Sequence, residues 1–174
     1  MMSMDRDTFD AIEGLGQGSA RPRLNLLLTY GGWRDMPAVL QLPRLLTPMG
    51  IRAMQAESGD EAAQIIDREP VHIAVVDLEI PLSPKTGMNT RARTGGPRLL
   101  QLLKRLETPP PTIVVKPRQG SAREHARSLS QSLREGAFAV LDRPLELESL
   151  LEVLRRVLRR HYRDGWPQPG PSMR

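Results

Sequence analysis

The sequence contains no cysteine. Disulfides, thiolate metal sites and a cysteine nucleophile are therefore excluded, and a cytoplasmic location is the expectation that suits such a chain. Aromatic residues make up 3% of the chain, so its core has to be built from Leu, Val, Ile and Ala. No run approaches the ~18 consecutive apolar residues of a membrane span, and residues 1–22 lack the apolar stretch of a secretory signal. Acidic residues are missing from two segments. Residues 82–98 hold Lys85, Arg91, Arg93 and Arg98 with no acid, and residues 155–163 hold Arg155, Arg156, Arg159, Arg160 and Arg163 with none either. The net charge is +5, so the rest of the chain is slightly acidic. Such clusters are either solvated faces or patches that attract an acidic partner. Arg91, Arg93, Arg155, Arg156 and Arg159 are the candidate partner-binding residues.

The length of 174 residues suits one domain with tails. Residues 1–22 are polar, Gly-containing and weakly periodic, and read as a flexible leader. Residues 164–174 carry three Pro and two Gly and read as a disordered tail. The domain is expected over 23–163. Within it the hydrophobic period switches regularly between that of strands and that of helices. Strands are predicted over 24–30 (β1), 51–58 (β2), 71–77 (β3), 111–115 (β4) and 137–141 (β5). Helices are predicted over 36–47 (α1), 58–70 (α2), 96–107 (α3), 121–136 (α4) and 144–163 (α5).

Local signals support these bounds. Asp35 and Pro37 suit the start of α1, while Pro43 inside it predicts a kink or a restart. Ala62, Ala63, Ile65 and Ile66 form the inner face of α2, and Leu99, Leu100, Leu102, Leu103 and Leu106 that of α3. Gly136 suits a left-handed cap on α4. In α5 the acids come first and the arginines last, which complements the helix dipole. Its apolar stripe is wide, so Val153 and Val157 are expected to spill toward an exposed face. Alternating strands and helices predict an α/β fold, (βα)5, with a parallel sheet covered on both faces and β3 and β4 in its middle.

One carboxylate stands out. In "VHIAVVDLEIP" four of the six residues before Asp77 are β-branched, and a Pro follows four positions after it. An acid at the carboxyl end of a buried parallel strand is a functional group at the sheet crevice or a loop cap, and ligands collect at that edge. His72, His125 and His161 have no metal-ligand spacing, and Gly31-Gly32 is not continued into a nucleotide-binding pattern.

Over about 24–160 the chain resembles the receiver (CheY-like) domain of bacterial response regulators. The resemblance rests on the order of elements, on "VVDLEIP" after β3, and on "GAFAVLDRP" leading into α5. It implies a flavodoxin-like strand order, 2-1-3-4-5. It also implies a phosphoacceptor position at Asp77, with Pro81 four residues on and Pro144 after β5. Four departures stand against a working site. "TYGGW" replaces the acidic pair that holds Mg²⁺ after β1, and the nearest acid is Asp35. Lys116 occupies the Ser or Thr position after β4. Arg143 replaces a Lys after β5, a planar fork in place of a point charge. The β3–α3 loop, 82–95, is about ten residues too long.

The resulting expectation is an atypical pseudo-receiver. Lys116 and Arg143 would be pocket cations that neutralise Asp77, with Gly31, Pro81 and Pro144 as the turn residues around them. No cofactor and no metal are expected, Mg²⁺ binding being weak or absent because Asp77 alone is a poor site. The alternatives are a functional phosphoacceptor at Asp77, a loop-capping Asp77, and a small α/β enzyme, for which no nucleophile–base pair is visible. Expected partners are signalling proteins, such as a histidine kinase or an output protein, and a second copy through the α4-β5-α5 face. Membrane and nucleic-acid binding are not expected. The basic 82–95 loop reads as a solvated segment or as a docking arm.

Overall fold

The computed structural model describes residues 24–30, 40–84, 94–117 and 120–162, the His125 side chain excepted. The predicted leader and tail, the start of α1 with Asp35 and Pro37, and most of the 82–95 loop lie outside them. The observed elements are β1 (Leu24–Thr29), α1 (Leu42–Leu46) with a 3-10 turn (Thr47–Met49), β2 (Ile51–Ala56), α2 (Gly59–Arg68), β3 (Ile73–Asp77), α3 (Gly96–Lys104), β4 (Thr112–Lys116), α4 (Ala122–Arg134), β5 (Ala139–Asp142) and α5 (Leu147–His161). The strands form one parallel sheet in the order β2-β1-β3-β4-β5.

Each element starts where its chemistry allows. Pro43 sits in the first turn of α1, where a missing N–H costs no hydrogen bond, so a helix can begin there. Strand β2 stops at Ala56 because Ser58 is taken by the next helix. Its hydroxyl accepts from Glu61 N at 3.2 Å, while the Glu61 carboxylate accepts from Glu57 N at 2.8 Å, a reciprocal cap. Gly136 follows α4 at φ 91°, the left-handed conformation expected there.

The sheet separates two apolar layers. Leu42 and Leu46 of α1, with Leu150, Val153, Leu154 and Val157 of α5, cover one face. Ala62 and Ile66 of α2, with Leu99 and Leu103 of α3, cover the other. Ala63 and Ile65 are only partly buried. The expectation that Val153 and Val157 spill outward is corrected: both are buried, at 5% and 0% exposure. Helix α5 turns a broad arc of its surface toward the sheet, and both valines fall inside that arc. No described side chain of α4 is fully buried, in keeping with its polar sequence.

Helix α3 enters close behind β3. A Cβ on Gly96 would lie 2.6 Å from the Asp77 carbonyl oxygen and closer still to the Leu78 Cα, so only Gly allows this approach. The neck of the long β3–α3 loop is closed. Pro81 and Thr94 form an antiparallel bridge, and Gly95 N donates to Ile80 O at 2.7 Å. The amide groups of Gly59 and Asp60 at the start of α2 donate to Pro81 O and Leu82 O, both at 2.8 Å.

Candidate functional site

The site lies at the carboxyl edge of the sheet, where three strands end on residues of one side-chain parity. Tyr30 continues the parity of Leu26 and Leu28 in β1. Asp77 continues that of Ile73 and Val75 in β3, and Arg143 that of Ala139 and Leu141 in β5. The apolar members of these series all belong to or pack on the core layer under α1 and α5. Alternation along strands therefore turns the three side chains to one side of the sheet.

Asp77 is fully buried. Its Oδ1 accepts a hydrogen bond from Glu79 N at 3.0 Å, a local turn in which the side chain caps its own loop. Its Oδ2 forms an ion pair with an Arg143 terminal nitrogen. The other Arg143 terminal nitrogen meets a Glu79 carboxylate oxygen at 3.3 Å. The guanidinium thus bridges two acids with its fork, which an ammonium could not do in the same plane. It also lies over the Tyr30 ring, its central carbon 5.0 Å from the ring centre, in range of a cation–π attraction. Tyr30 is itself held, since its hydroxyl accepts from Leu145 N at 3.4 Å.

The strand ends are fixed behind these groups. Thr29 Oγ1 donates to Val75 O at 2.9 Å and accepts from Asp77 N at 3.3 Å. Arg143 N donates to Lys116 O at 2.8 Å, which ties the start of the β5–α5 turn to the end of β4. Lys116 is the last residue of β4 and is buried, at 1% exposure. Lys116 therefore does not point into solvent. Asp77 pairs with Val115 in the sheet register, so Lys116 stands one position beyond.

The sequence-predicted residues divide accordingly. Asp77 and Arg143 meet directly, and Asp77 accepts from its own loop at the same time. Pro81 stands at the neck of the long loop, and Pro144 follows Arg143 through a cis bond. Gly31, Arg91 and Arg93 lie outside the described residues. Arg155, Arg156 and Arg159 are exposed on α5, on a surface separate from the Asp77 edge, and the Arg156 guanidinium lies 6.0 Å from the Phe138 ring centre. Tyr30, Thr29 and Glu79 were not among the predicted site residues. Strand parity alone could have pointed to Tyr30. Nothing in the sequence pairs Glu79 with Arg143, 64 positions away.

No family model matches the chain, and no curated protein sequence does. Solved structures do. A CheY-like response regulator receiver domain protein from Methanospirillum hungatei JF-1 matches with a TM-score of 0.57 and 22% identity, over 82% of this chain and 98% of that one. The signal receiver domain of a putative Luxo repressor protein from Vibrio parahaemolyticus gives 0.58 and 18%, over 80% and 92%. The non-phosphorylated HemR receiver domain from Leptospira biflexa gives 0.56 and 21%, over 78% and 94%. The chain has the receiver-domain fold: a five-stranded parallel sheet in the order 2-1-3-4-5, flanked by helices.

Proposed function

We propose that this chain is a receiver-fold signalling module that acts through protein contacts, in which Arg143 takes the charge-balancing place of a divalent ion at Asp77. The observation that carries the reading is the Asp77–Arg143 ion pair, extended to Glu79. A metal at this position would need carboxylates that no fixed cation already neutralises. Here one Asp77 oxygen is engaged by a backbone N–H and the other by the guanidinium, and the neighbouring Glu79 turns to the same cation. With a guanidinium fixed beside both carboxylates, these residues do not fit a magnesium site.

The burial of Asp77 supports the same reading. Phosphoryl transfer to a carboxylate requires one oxygen to attack phosphorus in line while cations neutralise the equatorial oxygens. A fully buried carboxylate already paired with arginine presents no such oxygen. The module is therefore proposed to be non-enzymatic and constitutive, held in one state by the ion pair and working in the cytoplasm. Its partners are proposed to be signalling proteins, a histidine kinase or an output protein among them.

The second reading, a working phosphoacceptor, is favoured by the position of Asp77 at the end of β3 in a receiver fold. One experiment separates the two. The full chain is incubated with Mg²⁺ and a small acyl phosphate, its intact mass is followed, and Mg²⁺ binding is titrated by calorimetry. The expected result is an unchanged mass and no saturable heat. Labelling at Asp77, lost in Asp77→Asn, would overturn the proposal.

A further inference from the structure

Helix α4 fills little of the space beside it. Neither apolar layer of the sheet includes one of its described side chains. Its half-buried positions are Ser128, Leu129 and Ser132, and two of these side chains are short. A cleft of about 210 Å³ remains between α3, α4 and the start of β4. Leu100 and Leu103 line it from α3, Pro109 and Pro110 from the turn before β4, and Val114 from the sheet. Strand alternation turns Val114 to this side, since Ile113 and Val115 belong to the layer under α1 and α5. The cleft lies at the amino edge of the sheet, away from Asp77.

Its lining suits an apolar guest better than water. Thr112 Oγ1 donates to Pro110 O at 3.0 Å. Thr112 O accepts from Phe138 N at 2.8 Å, and the amides of Gly136 and Ala137 donate to Leu133 O and Ser132 O, both at 3.0 Å. These polar groups are spent within the chain, whereas a trapped water needs roughly two to four partners. An engineered apolar cavity of about 150 Å³ takes benzene, so this cleft has room for a slightly larger ring system. The proline rings are rigid, and pre-formed walls favour a rigid guest over a flexible chain. Two charged residues border the cleft, Lys104 and Glu135. The Lys104 Cε lies 3.9 Å from the place a Cβ on Gly136 would take, so its apolar stem passes beside the glycine. Lys104 is exposed and makes no ion pair among the described residues. Glu135 is engaged, its Oε1 accepting from Gln131 Nε2 at 2.9 Å. The charge left available at the rim is therefore positive.

We infer that the cleft between α3 and α4 binds a small aromatic carboxylic acid, with its ring against Leu103 and Val114 and its carboxylate at Lys104. Burial of the ring supplies most of the affinity, and the exposed ion pair supplies orientation and preference among guests. A bound ring would also give α4 the apolar contact with α3 and β4 that its serines do not provide. The inference does not depend on the reading of Asp77.

The test titrates the full-length, ¹⁵N-labelled chain with 1-naphthoate and, separately, with its neutral counterpart 1-naphthamide, following backbone amide shifts. Saturable shifts are expected at Leu100, Leu103, Val114, Gly136 and Ala137, with 1-naphthoate binding roughly fivefold tighter than the amide. Lys104→Met, a change at an exposed position, is expected to erase that preference while leaving the affinity for the amide unchanged. Glu135→Gln is expected to tighten 1-naphthoate about twofold by removing a like charge. Ser132→Leu fills the cleft from α4 and is expected to abolish binding of both probes, with circular dichroism to verify folding. An absence of saturable shifts in the cleft at ~1 mM 1-naphthoate, the affinity of a weak complex, would overturn the inference. So would equal affinity of the wild type for acid and amide, a preference that survives Lys104→Met, or a folded Ser132→Leu variant that binds as the wild type does.

Discussion

The guanidinium carbon of Arg143 lies 5.0 Å from the centre of the Tyr30 ring, so the cation that neutralises Asp77 from one side is backed by an aromatic face on the other. Tyr30 leaves the end of β1 and Arg143 the end of β5, the two strands that flank β3 and β4. The pair closes the carboxyl edge across the middle of the sheet. Arg143 therefore brings both charge and shape to this edge.

Removing either partner of the ion pair should have unequal effects. Arg143→Ala removes the guanidinium from a fully buried carboxylate and is expected to cost about 3 kcal/mol. Asp77→Asn keeps an oxygen for Glu79 N and leaves Arg143 with Glu79, so its cost should be about 1 kcal/mol. Urea denaturation midpoints of the two variants and their combination give the answer, with the double variant costing less than the sum.

The aromatic support can be dissected in the same way. Tyr30→Phe retains the ring and loses the 3.4 Å bond from Leu145 N, for an expected cost of about 1 kcal/mol. Tyr30→Leu also removes the cation–π contact and should cost a further 1 to 2 kcal/mol, roughly. Equal thermal midpoints for the two variants would show that the ring face contributes nothing.

Glycine positions give a contrast that depends on space alone. Gly96→Ala drives a methyl group into the backbone of Asp77 and Leu78 and is expected to destabilise by about 3 kcal/mol or more. Gly120→Ala meets nothing within 4 Å and should stay within about 0.5 kcal/mol of wild type. Thermal unfolding of both variants checks this.

His72 makes stability depend on pH. Its Nδ1 accepts from Asn25 N at 2.9 Å, which requires the neutral ring, and burial lowers its pKa below the ordinary 6.5. The unfolded chain then binds the proton more readily than the folded one. The neutral ring's contribution is full above pH 6.5 and is lost as the pH falls through the lowered folded value. His72→Asn, which offers an oxygen in place of Nδ1, should flatten the loss of stability on acidification. A wild-type midpoint that does not move below pH 6.5 would contradict this.

Much of the fold was legible because it rests on local periodicity. The apolar runs of β3 and β4, the leucine spacing of α3 and the cap at Gly136 each act within a few residues. The less regular bounds were set by competition between neighbours. Ser58 could extend β2 or cap α2, and the cap prevails because it satisfies an orphan amide of the helix. Val153 and Val157 looked peripheral on a wide stripe, yet packing of the helix on the sheet buries both.

By itself the sequence determined that the chain alternates strands with helices, and that a single acid closes its central strand. It also placed an arginine, in a family-like position, after the last strand. Which charges meet was decided only by the tertiary structure. Strand order and register carry Tyr30, Asp77, Glu79 and Arg143 from distant points of the chain to one edge. Ion pairs and ring contacts act over a few ångströms in space, and no spacing along the chain encodes that distance.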